Sequence, residues 1–350
     1  MKTAAFDYEL PEELIAAHPT ERRDGARLLV VDGETLTDSA VEHWPELVPE
    51  GALLVVNDTR VRRARIFGTK RGSLGRVELL FIRRIDTEAG RERWEAIGRS
   101  SKPLRVGAII DWDEIWVEIL ERRDDATLVV AVRPGEQDFE RVLEQRGHLP
   151  LPPYMRRTDE PFDLERYQTV YARRTASAAA PTAGLHLSAA VLERLAARGV
   201  EMARLELEIG LGTFRSVLVD DLDEHPMHAE TVEVGSDLVA AIAGARARRA
   251  PVVAVGTTVV RALESAADPE HAGQVRTLRG ETRLLIQPGY EFKVVDALLT
   301  NFHVPKSTLL ALVSAFAGHG PVMNAYRHAV AQRYRFLSYG DAMWIPRKNQ

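Results

Sequence analysis

Between Arg62 and Val132 the chain carries a series of short strand-like runs and no convincing helix. The clear ones are Arg76–Ile82, Arg93–Ile97, Ala108–Trp112, Trp116–Leu120 and Thr127–Val132, each bounded by turn-forming or charged residues. Runs at this spacing specify a small antiparallel sheet or barrel. Both flanks have a different character. Two apolar strands, Arg27–Val31 and Leu53–Val56, precede the region. After it, helical and strand periods alternate: helix Ala189–Arg198, strand Met202–Ile209, helix Asp237–Arg248, strand Val252–Val255, helix Val259–Ala266, strand Leu284–Ile286. Alternation of this kind implies a mostly parallel sheet with crossover helices. The two N-terminal strands need partners, and the C-terminal half offers a sheet to accept them. The expected fold is therefore an α/β domain built from residues 1–60 and 149–350. A small antiparallel β-barrel domain, residues 61–148, interrupts it, with a connecting helix marked by Phe139, Val142 and Leu143 and stopped by Gly147. Trp94, Trp112 and Trp116 fall in the barrel and are expected to fill its core. Leu149 to Tyr154 (LPLPPY) reads as a rigid extended linker.

A length of 350 residues suits two domains. The net charge of −5 supplies no global field for nucleic acid, so any RNA contact must use a local basic patch. With no cysteine the chain has no disulfide, no thiolate metal site and no cysteine nucleophile. The stretch Met1 to Ile15 shows no apolar secretory core, and the longest apolar run, Leu309–Ala317, is too short to span a bilayer. A cytoplasmic monomer without membrane association is expected.

Several polar corners could carry chemistry. Ala180-Pro181-Thr182-Ala183-Gly184-Leu185-His186 runs into Ser188, the expected N-cap of the next helix. Leu298 to Pro305 reads as a strand entering a corner with Asn301 and His303, and Ser307 caps the helix that follows. Ends of strands before helices are where α/β proteins hold ligands. Gly256, Thr257 and Thr258 form a strand–turn–helix corner that suits an anion, although an ordinary turn has the same signature. Gly212, Thr213 and Phe214 form another corner, and Tyr290 lies in a turn with Gly289. Repetition at many strand ends suggests one pocket for a large polar ligand, with Thr182, Gly184, Gly212, Thr213, Phe214, Gly256, Thr257, Thr258, Tyr290 and Asn301 as its binding residues. The spacing of His225 and His228, with His186 or His303 and with Glu230 nearby, allows a zinc site; Pro226 between the first two and the absence of HExxH argue against this, and no metal is expected. Arg60, Arg62, Arg63 and Arg65 form a basic run suited to RNA phosphates, or else a solvated face with internal ion pairs.

Long motifs run in order along the chain: FDYELPEELIAAHP from Phe6, VVNDTRVRRARIFGTK from Val55, LPPY from Leu151, YQTVYA from Tyr167 and APTAGLH from Ala180. GLGTF from Gly210, EHPMHAE from Glu224, AVGTTVVRALES from Ala254, PGYEFKVVDALLTNFHVPKSTLLALVSAFAG from Pro288 and YRFLSYGDAMWI from Tyr334 follow. Together they closely resemble the S-adenosylmethionine:tRNA ribosyltransferase-isomerase family of queuosine biosynthesis. Departures are Ala176 for a usual glycine, Leu187 for phenylalanine and Val304 for leucine. The resemblance implies an α/β domain with an inserted barrel. It implies transfer and isomerisation of the ribosyl part of S-adenosylmethionine onto 7-aminomethyl-7-deazaguanine at the tRNA wobble position, with release of adenine and methionine. S-adenosylmethionine is then a consumed substrate, no separate cofactor is needed, and tRNA is the macromolecular partner.

Such a reaction needs a base for the acidified carbon beside the sulfonium, and an acid for departing adenine. His186, His303 and His228 are base candidates; Asp58, Glu230 and Asp296 are possible acids. Residue types alone do not rank them.

Overall fold

A computed structural model describes residues 1–123, 127–133, 138–208, 217–227 and 229–346. In chain order the strands are β1 (Arg27–Asp32), β2 (Thr35–Ala40), β3 (Leu53–Asn57), β4 (Thr59–Val61), β5 (Arg65–Lys70), β6 (Arg76–Glu88), β7 (Arg91–Ser100), β8 (Ile109–Trp112) and β9 (Ile115–Arg122). They continue with β10 (Thr127–Val132), β11 (Arg174–Ser177), β12 (Glu201–Leu207), β13 (Glu230–Val234), β14 (Val252–Val255), β15 (Leu278–Thr282), β16 (Ala297–Asn301) and β17 (Ala342–Pro346). The α-helices are α1 (Trp44–Leu47), α2 (Phe139–Arg146), α3 (Asp163–Arg166), α4 (Ala189–Ala197), α5 (Ser236–Ala247), α6 (Thr257–Ser265), α7 (Thr308–Ala317) and α8 (His319–Ala331). Among the described residues no helix is long and apolar enough to cross a membrane.

Nine strands form one sheet in the order β15-β13-β12-β3-β14-β16-β17-β1-β2. N-terminal β1 and β3 are inserted among C-terminal strands, as the unpaired apolar runs required. The centre, β12-β3-β14-β16, is parallel. Antiparallel pairings of β12 with β13, β13 with β15, β16 with β17 and β1 with β2 make the whole sheet mixed. Side chains alternate between its faces. Leu53 and Val55 of β3 and Val252 and Ala254 of β14 pack with α5 to α8 on one face. Leu54, Val56, Val253 and Val255 meet Trp44, Val191 and Leu195 on the other. Burial on both faces explains why these strands read as continuous apolar runs.

The expected strand Leu284–Ile286 is irregular; the neighbouring strand is the more polar Leu278–Thr282. Ile286 is buried and Leu284 and Leu285 are partly buried against the core, so burial rather than pairing accounts for that apolar triplet.

β5 to β10 close into a six-stranded barrel, every pair antiparallel. Its inward positions include Ile66, Leu79, Phe81, Trp94, Ile110, Val117 and Val130. Phe139 of α2 plugs the core: its ring lies 4.9 Å from Phe81 and 5.8 Å from Trp94, both edge-on. Buried Glu92 accepts from Trp94 Nε1 at 2.9 Å and from the Phe139 amide at 3.2 Å, which ties the helix start to the barrel. Trp94 and Trp112 are core residues as expected, whereas Trp116 is only half-buried. The chain enters the barrel through β4, which pairs with β11 in a separate two-stranded sheet. The Gln168 carboxamide binds both backbone groups of Val61 at 2.9 Å, replacing a strand neighbour.

Candidate active site

Three polar corners distant in sequence converge at the C-terminal ends of the parallel strands. At the end of β14 the chain turns at Gly256, with φ +95°, a conformation that favours glycine. Its amide donates to Leu299 O at 2.8 Å, and an added Cβ would lie 3.6 Å from that of Ala183. This contact brings the 180–186 segment against the start of α6. Thr182–His186 forms a 3₁₀ turn, and Ser188 accepts from the Val191 amide at 3.1 Å, capping α4 as expected. A Cβ on Gly184 would fall 2.1 Å from the Tyr171 hydroxyl, so only glycine fits there without displacement. At the end of β16, Ser307 accepts from the Leu310 amide at 3.2 Å and caps α7.

These corners line a cleft with roughly 600 Å³ of free space, its open mouth included. Thr182, Gly256, Thr257, Thr258, Asn301 and His303 all contribute to its wall. Leu337, Ser338 and Tyr154 complete it, and sequence reasoning did not select them as site residues. The Tyr154 and Ser338 hydroxyls are hydrogen-bonded, and Leu337 has φ 71°, a left-handed conformation that is costly for leucine. The LPPY and YRFLSYG motifs contained the only sequence signal for them.

A second, smaller cleft lies beyond the 337–340 segment. Arg23, Arg166, Leu185, His186, Ser338 and Tyr339 are among its walls, and Ser338 is common to both clefts. His186 therefore faces a different space from His303. Asn301 joins the two: its Nδ2 lies 3.0 Å from His186 Nε2 and 3.1 Å from the Leu337 carbonyl. A carbonyl only accepts, so the amide atom touching it is the NH₂ group. His186 Nε2 must then accept as well, and its proton sits on Nδ1. Asn301 Oδ1 is buried with no partner among the described residues.

Burial alone lowers the His303 pKa to about 3. Burial, reinforced by Arg23 and Arg335, lowers that of His186 to about 4. Both rings are neutral near pH 7. His303 Nε2 lies 3.0 Å from Thr300 Oγ1, its backbone N–H donates to the Tyr326 hydroxyl at 2.8 Å, and its carbonyl accepts from the Tyr8 hydroxyl. Asp58, at the end of β3, has its pKa raised by burial, against the opposing pull of Arg173 and Arg204.

Other expected residues lie apart. Glu230 forms a buried ion pair with Arg261 inside the α6 packing. Asp296 precedes β16 at the opposite, N-terminal ends of the strands, where it pairs with Arg246 and accepts from the Val252 amide at 2.8 Å. Tyr290 lines another depression beside Phe292 and Phe316, with its hydroxyl 3.2 Å from Glu264. Gly212, Thr213, Phe214 and His228 lie outside the described residues.

Three members of the basic run point to internal partners. Arg62 pairs with Glu140 at 3.2 Å, and Arg65 is buried and pairs with Glu78 at 3.1 Å. Arg63 donates to the Gly147 and Glu144 carbonyls at 2.7 and 3.0 Å, at the negative end of α2. These contacts lock the barrel to its helix and linker. Arg60 makes no ion pair or side-chain hydrogen bond among the described residues.

The family model described as queuosine biosynthesis protein matches residues 3–345. The S-adenosylmethionine:tRNA ribosyltransferase-isomerase of Sorangium cellulosum is 53% identical over 99% of this chain and 98% of its own. Its namesake from an Anaeromyxobacter species is 48% identical, with 99% of each chain covered. The solved S-adenosylmethionine tRNA ribosyltransferase of Thermotoga maritima is 34% identical, with TM-score 0.55, covering 97% of this chain and 99% of that one. The chain belongs to the queuosine biosynthesis family and is an enzyme of its S-adenosylmethionine:tRNA ribosyltransferase-isomerase class, a transferase-isomerase.

Proposed function

We propose that this enzyme moves the ribosyl part of S-adenosylmethionine onto 7-aminomethyl-7-deazaguanine at the tRNA wobble position. The sugar is rearranged to give epoxyqueuosine-tRNA, with release of adenine and methionine. The observation that carries this reading is the convergence of the 180–183, 256–258 and 300–304 segments on one cleft. Threonine hydroxyls and the start of α6 offer donors for polar groups, and apolar Leu309, Phe302 and Val304 flank them. Such a lining suits a large ligand with apolar and polar parts.

His303 is the base facing that cleft. With its pKa held low it is neutral and able to accept a proton, though weak. His186 has its Nε2 lone pair engaged by Asn301, so its role is to orient that amide. Asp58 is the better acid than Glu230. Burial favours its protonated form, whereas the Glu230 carboxylate is taken up by its contact with Arg261. Thr182, Gly256, Thr257, Thr258 and Asn301 form the binding wall, and Gly184 lies behind it, packed against Tyr171.

Purified enzyme given S-adenosylmethionine and a tRNA bearing the aminomethyl-deazaguanine base is expected to release adenine and methionine in equal amounts with modified tRNA. No adenine release from such a mixture, despite tight tRNA binding, would replace this reading with a binding role.

A further inference from the structure

We infer that the second cleft, behind His186, is an anion subsite for a phosphodiester of the bound RNA, with Arg23 and Arg166 as its ligands. This rests on the proposed tRNA substrate.

Three arginines crowd this part of the molecule without forming an ion pair among the described residues. Arg23 donates to the carbonyls of Gln168, Leu185 and Glu165 at 2.8, 3.2 and 3.0 Å. Arg166 donates to the Glu21 and Thr20 carbonyls at 3.0 and 2.8 Å, and Arg335 binds the His18 carbonyl. Carbonyl contacts fix each guanidinium in place without pairing its charge; Glu165 and Asp341 act on Arg23 and Arg335 only through space. Nearby carboxylates are otherwise engaged: Asp341 accepts from the Arg27 and Arg335 amides at 2.8 Å, and Asp163 is paired with Arg157. The Arg166 Nε–H is a buried donor with no partner among the described residues. Mutual proximity shows in the Arg23 pKa, lowered first by burial and then by Arg166.

Concentrated positive charge in a partly enclosed cleft costs free energy unless an anion neutralises it. Guanidinium donors match phosphate oxygens. The adjoining wall favours RNA as the source. Ser338 is common to both clefts, and the Asn301–His186 hydrogen bond crosses between them. A nucleotide whose base enters the His303 cleft is placed to lay its phosphate over Arg23 and Arg166. The basic run at residues 60–65 is less able to do so, because Arg62 and Arg65 already have carboxylate partners.

The test measures binding of an anticodon stem-loop RNA over a range of salt concentrations, without turnover. Arg166→Gln is expected to weaken binding and to flatten the log K against log salt slope by about 0.7, the value for one single-strand phosphate contact. Arg23→Gln is expected to do the same, with thermal melting used to confirm folding, and Arg166→Lys to restore most of the slope. Affinity for S-adenosylmethionine, measured without RNA, is expected to stay unchanged. An unchanged slope in folded variants overturns the inference. So does a loss confined to S-adenosylmethionine, which would assign the site to its methionine carboxylate. Failure of the unaltered enzyme to bind the RNA at all would instead overturn the proposed function.

Discussion

The two clefts share Ser338 and a hydrogen-bonded wall but differ in what surrounds their histidines. His303 stands among threonines, Asn301 and apolar side chains, and burial alone depresses its pKa. His186 faces Arg23 and Arg166, and cations add to the same depression. In sequence the two looked equivalent, each at a polar corner before a Ser-capped helix. Electrostatics and hydrogen bonding separate them. One corner opens on the larger cleft, and the other braces the amide that lines it.

The sharpest way to break this distinction is turnover. His303→Gln is expected to lower kcat by about 100- to 10000-fold, the usual contribution of a general base, with folding intact. For His186 the replacement should matter more than the loss of the ring. Gln can still accept from Asn301, so His186→Gln should cost less than tenfold, as one weak neutral hydrogen bond would. His186→Leu removes the acceptor beside a buried amide, a penalty of about 1–3 kcal/mol. Equal, severe losses in both His186 variants would make it the base and reverse the assignment. Loss of solvent exchange at the ribose 5′ carbon provides the direct reading.

Acid stability tests the shared half of the comparison. Both histidines have folded pKa values near 3 and 4, below the ordinary 6.5. Below pH 6.5 the unfolded chain binds protons that the folded one refuses, so stability falls as pH drops from 6.5 towards 4. Each histidine is expected to cost about 2 kcal/mol by pH 5. Urea midpoints at pH 7.5 and 5 should show the loss, and His303→Gln should remove about half of it. A midpoint indifferent to pH across this window would mean that the rings are not held neutral.

Much of the fold was legible because its signals are local and periodic. Period-two runs marked the barrel, and unpaired Arg27–Val31 and Leu53–Val56 pointed to strands completed by the distant half. β5 was missed because Gly68 and flanking cations blur its short pattern. α8 and β17 were not singled out, since small residues in one and the compact AMWIP run in the other carry little periodic signal. In the site, Thr182, Gly256, Asn301 and His303 stood out through turn chemistry. Tyr154, Leu337 and Ser338 did not, because their importance comes from a third segment folding across the other two. Glu230 and Asp296 looked like free acids only because sequence does not show that Arg261 and Arg246 face them.

Gly184 tests how closely the wall between the clefts is fitted. Its added Cβ would meet the Tyr171 hydroxyl at 2.1 Å and Thr169 Cγ2 at 2.9 Å. Gly184→Ala is therefore expected to destabilise the enzyme by about 1–3 kcal/mol, as overpacking does, and to raise KM. Adding Tyr171→Phe removes the closest atom and should recover part of the loss. Additive effects in that double-mutant cycle would mean that the crowding is relieved elsewhere.

The smallest effect concerns the two arginine groups. Arg62 is largely enclosed, but its partner Glu140 is half exposed, and their contact at 3.2 Å holds the chain entering the barrel to α2. Arg62→Gln is expected to lower stability by about 1 kcal/mol or less, since ion pairs reaching solvent contribute little. Its side chain already has a carboxylate partner, so replacing it releases no additional counterions when RNA binds. The salt slope for the anticodon stem-loop should therefore match the unaltered enzyme, while Arg166→Gln flattens it. If Arg62→Gln flattens the slope and Arg166→Gln does not, the RNA phosphate lies over the barrel entrance, and the contrast between the clefts loses its cationic half.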